Sequence, residues 1–167
     1  KSIIHRDLKP DNVMLVGDPE TPDGERVKIF DFGIAKLRVD SLGPRQPQGF
    51  QTGEGVIMGT PTHMAPEQCR GSLDITGKAD VYALGVIIYQ MLAGHAPFLG
   101  VSAGELLSAH LCDKPPSLLK IDPSIPEEVA ELCHRMLAKD QDERPTMDEV
   151  VVELEAMGAS RSRATSI

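Results

Sequence analysis

Apolar residues first gather in two short runs, Val13-Met14-Leu15-Val16 and Val27-Lys28-Ile29-Phe30, both of strand-forming character. Between them the stretch Gly17-Asp18-Pro19-Glu20-Thr21-Pro22-Asp23-Gly24 is dense in turn formers, so the pattern predicts a hairpin with a long loop. From Asp40 to Gly55 the chain turns polar, with four Gly and two Pro, which predicts a functional loop. Helical patterns dominate afterwards. Residues 80–92 are apolar nearly all round, the pattern of a central, buried helix. Residues 102–111 predict a shorter helix, ended by Pro115 and Pro116. Ser124 reads as the cap of the next helix, with Pro126 and two glutamates in its first turn. Val129, Leu132, Cys133, Met136 and Leu137 then repeat at spacings of 3 and 4, a single buried stripe. Thr146 followed by Glu149 is a capping box, and Val150, Leu154 and Met157 read as the inner face of the last helix. Gly158 is expected to end that helix and leave residues 159–167 as a disordered tail.

Composition narrows the function classes. A chain of 167 residues suffices for one domain with a real core, and two would be cramped. It is 41% hydrophobic and 25% charged, ordinary values for a globular protein. The net charge of −8 argues against nucleic acid or an anionic membrane as main partner, because both reward clustered Lys and Arg. Beyond Arg161 and Arg163 there is no basic cluster. Three cysteines in no paired motif predict reduced thiols and a cytoplasmic setting. No apolar run approaches the roughly 20 residues of a membrane span, and the first residues do not read as a signal peptide. A further segment could still anchor the parent protein.

Three signals carry the chemistry, in order: His5-Arg6-Asp7-Leu8-Lys9-Pro10-Asp11-Asn12, then Asp31-Phe32-Gly33, then Ala65-Pro66-Glu67. Phosphoryl transfer leaves little covalent work to a protein, so positioning and charge neutralisation decide its rate. Magnesium favours hard oxygen ligands, and the Asp31 carboxylate and the Asn12 amide oxygen are such ligands. Asp7 can orient an incoming hydroxyl and accept its proton. Lys9 is a compact cation able to lean over the transferred phosphoryl oxygens. Any one of the triplets alone is weak; the eight-residue loop followed by both in order is specific.

On these motifs the chain resembles the protein kinases over residues 1–157. The resemblance implies a mainly α fold, the large lobe of a kinase domain with a small β-hairpin near the N-terminus, spanning residues 1–158. It implies ATP and Mg2+ as cofactors, with Asp7 as base, Lys9 on the phosphoryl group, and Asn12 and Asp31 as metal ligands. Asp80, at the start of the Asp80-Val81-Tyr82-Ala83-Leu84-Gly85 run, would hold the backbone of the catalytic loop, with Tyr82 in place of the usual Trp. Glu67 and Arg144 would form a buried structural ion pair. Lys9, together with Gly59-Thr60-Pro61, is similar to serine/threonine kinases, and the style of residues 59–71 and 78–94 to bacterial kinases of the eukaryotic-like type. Protein substrates with Ser or Thr acceptors follow. Thr60 would hydrogen-bond Asp7 and Lys9, and His63 stands where the family usually has Tyr. Arg6 before the catalytic Asp goes with activation by loop phosphorylation, for which Thr52 is the first candidate and Ser41 the second.

The family also needs a glycine-rich loop, a strand Lys and a helix Glu, all upstream of the catalytic loop. Only four residues precede His5, so the chain is expected to start inside the domain and, alone, to bind ATP poorly. The Gly53–Gly59 stretch is no phosphate loop, because its third Gly is one residue late and no helix follows. Lys28 is expected to face solvent on its hairpin rather than act as the strand Lys. His110, Cys112, Cys133 and His134 fit no zinc spacing, and Cys133 reads as core. A non-catalytic docking module is the alternative from another class, though all four chemical residues are intact. Small-molecule phosphotransferases rank lower, since they typically carry His-Gly-Asp and lack Ala-Pro-Glu.

Overall fold

The structure is a computed structural model that describes residues 3–31 and 61–164. It opens with a 3₁₀ turn, Pro10–Asn12, which runs straight into β1 (Val13–Gly17). β2 (Glu25–Ile29) returns antiparallel, in register from Val13 opposite Ile29 to Gly17 opposite Glu25. The connecting loop makes its own contacts. Asp18 Oδ1 accepts from the Glu20 N–H at 2.9 Å and its carboxylate pairs with Arg26, while Gly24 takes φ 72°, a left-handed conformation that suits glycine. Phe30 lies just past β2, yet its N–H still reaches the Asn12 carbonyl at 2.9 Å. Lys28 is exposed. The hairpin leaves large apolar side chains in the open, Leu15 at 63% and Val27 at 56% exposure among them.

Helices make up most of the remaining described chain. α1 (Pro66–Cys69) is one turn long, and α2 (Lys78–Ala93) is the central element. Ala79, Val81, Tyr82, Ala83, Gly85, Val86 and Tyr89 of α2 are all buried, on more than one face. Gly94, at φ 78°, ends it in the left-handed conformation. α3 (Ala103–Cys112) is capped by Ser102, α4 (Leu118–Ile121) is a single turn, and α5 (Glu127–Met136) packs on α2. That contact is close: a Cβ on Gly85 would stand 2.9 Å from Met136 Cβ. Tyr82, Val86 and Tyr89 of α2 share one core cluster with Leu118, Ile125, Ala130, Cys133 and Leu137. Val81, Leu132, Met136 and Val150 form a second, which ties in α6 (Met147–Ala164). Among the described residues no helix is long and apolar enough to cross a membrane.

Three local expectations need correction. Ser124 does not cap α5: Pro126 occupies that position, and the Ser124 N–H instead donates to Asp122 Oδ1 at 2.8 Å in a turn of its own. Gly158 does not end α6, which continues to Ala164. A helical Gly costs only about 1 kcal/mol against Ala, and no proline follows to stop the helix. Leu154 is 39% exposed, so only Val150 and Met157 of the expected stripe meet the core. The capping box is formed, with the Thr146 N–H donating to Glu149 Oε2 at 2.7 Å and the Glu149 N–H to Thr146 Oγ1 at 3.3 Å.

Candidate active site

The loop 5–12 is held by side chains from distant parts of the chain. Asp80, in the first turn of α2, accepts the His5 N–H at 2.7 Å on Oδ2 and the Arg6 N–H at 2.9 Å on Oδ1. His5 Nε2 lies 2.8 Å from the Phe30 carbonyl, which can only accept, so that nitrogen carries the ring hydrogen. His5 Nδ1 is then the acceptor for the Asp7 N–H at 3.3 Å. Gln68 of α1 joins from the other side, donating from Nε2 to the Arg6 carbonyl at 2.8 Å and accepting the Ala65 N–H at 3.0 Å. These contacts hold Arg6 at φ 64°, a conformation a non-glycine residue adopts only when its surroundings fix it.

Past that bend Asp7 and Lys9 meet, Oδ2 to Nζ at 3.4 Å, both partly exposed. Asn12 is buried and donates from Nδ2 to the Asp7 carbonyl at 2.9 Å, which leaves Oδ1 as its acceptor atom. The Phe30–Asn12 backbone bond brings Asp31 to the same end of the hairpin, where it too has a left-handed φ, 52°. The loop and the end of the hairpin thus carry two hard oxygen donors, the Asp31 carboxylate and the Asn12 amide, close in the backbone to the Asp7–Lys9 pair. That donor set fits Mg2+ and a phosphate chain. Among the described residues no group of three or more His, Cys, Asp or Glu is placed to hold a metal. Thr52, Thr60 and Ser41 lie outside the described residues.

Glu67 and Arg144 form a bidentate pair, Nη1 to Oε1 and Nη2 to Oε2, each at 2.8 Å. Both are buried, Arg144 at 2% and Glu67 at 6% exposure. The other guanidinium donors go to the carbonyls of Ala138, Lys78 and Lys139, so the fork is fully satisfied. Its carbon stacks 4.9 Å from the centre of the Tyr82 ring. Cys133 is buried with Sγ toward the Gly85 carbonyl, and His110 hydrogen-bonds Tyr82.

His63 packs near the loop, within electrostatic range of Asp11, Lys9 and Asp7, and burial lowers its pKa. Sequence reasoning assigned no role to His5 or Gln68, the two side chains that fix the loop besides Asp80. His5 was legible as the first residue of the loop motif; Gln68 gave no signal.

The family description Protein kinase domain matches residues 1–153. The chain belongs to the protein kinase domain family. A serine/threonine-protein kinase of Myxococcus xanthus is 42% identical over 86% of this chain and 19% of its own length. A second kinase so named from that organism is 39% identical over 98% of this chain and 29% of its own length. A DNA damage-responsive serine/threonine-protein kinase of Deinococcus radiodurans is 35% identical over 93% of this chain and 21% of its own length. The chain therefore spans under a third of the length of these relatives.

Proposed function

We propose that the chain is the large lobe of a cytoplasmic serine/threonine protein kinase, whose parent protein transfers the γ-phosphoryl of MgATP to Ser or Thr hydroxyls of proteins. What carries the reading is the Asp80 carboxylate on the His5 and Arg6 amides, because it fixes the bend that presents Asp7 beside Lys9 and Asn12. Asp7 orients the acceptor hydroxyl and takes its proton as the new P–O bond forms. Lys9 lies over the transferred oxygens and offsets their charge. Asn12 Oδ1 and the Asp31 carboxylate hold the metal, which when bound neutralises phosphate charge. Glu67 and Arg144 are structural. Arg6 pairs with a phosphate on Thr52 in the activated protein, and Thr60 ties the following segment to Asp7 and Lys9. Mass spectrometry of the active protein finding no phosphate between residues 40 and 58 would remove Thr52 from that role.

The exposed hairpin supports the idea that this is one wall of a cleft. An isolated two-stranded hairpin is marginal in water, and Leu15 and Val27 stand open where a second lobe would cover them. The chain alone is therefore expected to bind MgATP weakly, and calorimetry giving a micromolar Kd would contradict this. The reaction itself is tested by incubating the full-length protein with radiolabelled MgATP and a protein acceptor. Label on phosphoserine or phosphothreonine is expected; label on tyrosine, or none, would overturn the reading, and none would favour the docking module.

A further inference from the structure

Arg6 sits in a left-handed bend, at φ 64°, and the two peptide units that meet there are held by different parts of the fold. A peptide unit is planar, so a bond to its N–H or its carbonyl orients the whole plane. The unit before Arg6 donates its N–H to Asp80 Oδ1 at 2.9 Å. The unit after Arg6, which joins it to Asp7, is held at both ends. Its carbonyl accepts from Gln68 Nε2 at 2.8 Å, and its N–H donates to His5 Nδ1 at 3.3 Å. One unit further on, the Asp7 carbonyl accepts from Asn12 Nδ2 at 2.9 Å. The planes on either side of Arg6 set its φ and ψ, and those on either side of Asp7 set the direction in which its carboxylate leaves the backbone.

Gln68 matters most for the plane that precedes Asp7. The His5 bond at 3.3 Å is the longer and weaker of the two that hold it. The amide of Gln68 has one possible orientation, because the Arg6 carbonyl can only accept and the Ala65 N–H, 3.0 Å from Gln68 Oε1, can only donate. Both ends of the side chain are therefore used, and only an amide can serve both. One residue earlier, Glu67 pins α1 to the buried Arg144 through two bonds of 2.8 Å. Gln68 thus ties the Asp7 peptide to a rigid part of the fold 62 residues away. Without that bond the strained Arg6 is free to relax through ψ, and Asp7 turns with it.

We propose that Gln68 is a positioning residue for Asp7: its amide orients the Arg6–Asp7 peptide, and so couples the aim of the base to α1. The catalytic part of this rests on the kinase reading; the hold on the peptide does not. Two variants of the full-length protein test it. Gln68→Met keeps the length of the side chain and removes both bonds. Gln68→Glu still accepts the Ala65 N–H but turns an acceptor oxygen toward the Arg6 carbonyl. Hydrogen exchange over residues 5–8 is expected to quicken roughly tenfold in both, the equivalent of one lost hydrogen bond. kcat is expected to fall about tenfold in both, with the KM for MgATP unchanged, because misplacing a reacting group acts on the transfer step. Wild-type exchange in both variants would overturn the hold on the peptide. Wild-type kcat in Gln68→Glu, with a loss in Gln68→Met alone, would overturn the positioning role, since only the Ala65 bond would then matter. A rise in the KM for MgATP as large as the fall in kcat would overturn it too, as general loosening of the site. If the wild-type protein transfers no phosphate, the kinase reading fails, and the exchange rates still decide whether Gln68 holds the peptide.

Discussion

Arg144 shows how one residue can bind together segments far apart in sequence. Its five donors reach Glu67 in α1, the Lys78 carbonyl in α2, and the Ala138 and Lys139 carbonyls after α5. Removing one side of a buried ion pair strands the other, at about 3–5 kcal/mol. Arg144→Met is therefore expected to lower the unfolding free energy from urea melts by that much, and Glu67→Gln by less, because the amide oxygen still accepts. A loss below about 1 kcal/mol for Arg144→Met would mean that Glu67 finds water or another partner. At this scale the candidate site was partly legible. Asp7, Lys9, Asn12 and Asp31 stand out because their chemistry and spacing are local. His5 and Gln68 act through a ring tautomer and a backbone carbonyl across the fold, and such contacts leave no periodic trace.

Packing between elements depends on how closely α2 approaches α5. Gly85 permits it, since a Cβ there would press on Met136 Cβ at 2.9 Å and on Leu137 at 3.3 Å. Gly85→Ala is expected to cost about 1–3 kcal/mol by overpacking, even though Ala is the better helix former. Chemical denaturation should show a lower midpoint with an unchanged slope; a stabilised variant would mean that α5 can shift. The elements themselves were legible where local signals agree, as in the hairpin with its run of turn residues and in the Thr146–Glu149 box. They were misread where two signals compete. Ser124 is a good cap in isolation, but Asp122 takes its N–H and Pro126 starts the helix. Leu154 lies on the expected stripe of α6, yet burial depends on whether a partner stands opposite, which periodicity does not say.

For the molecule as a whole, buried neutral histidine links stability to pH. His110 is fully buried and its pKa falls from 6.5 to about 4. Between those values the unfolded chain binds the proton and the folded one does not, so stability is full above pH 6.5 and is lost as pH falls toward 4. The loss is on the order of 3 kcal/mol, and His110→Gln should flatten it in urea melts taken across that range. An equal slope in that variant would assign the acid limb elsewhere. The general class of the molecule was legible because three motifs in fixed order are rarely accidental. The openness of the hairpin was not, since short apolar strand runs look the same whether or not another element covers them.

Asp7, on the loop that Asp80 holds, is the proposed base of the phosphoryl transfer. Its most direct test is kcat for Asp7→Asn in the full-length protein, measured alongside melting temperature and MgATP affinity. With Asp7 as the base, kcat falls on the order of 10²–10⁴-fold while the other two hold. Phosphorylation at the wild-type rate would contradict it.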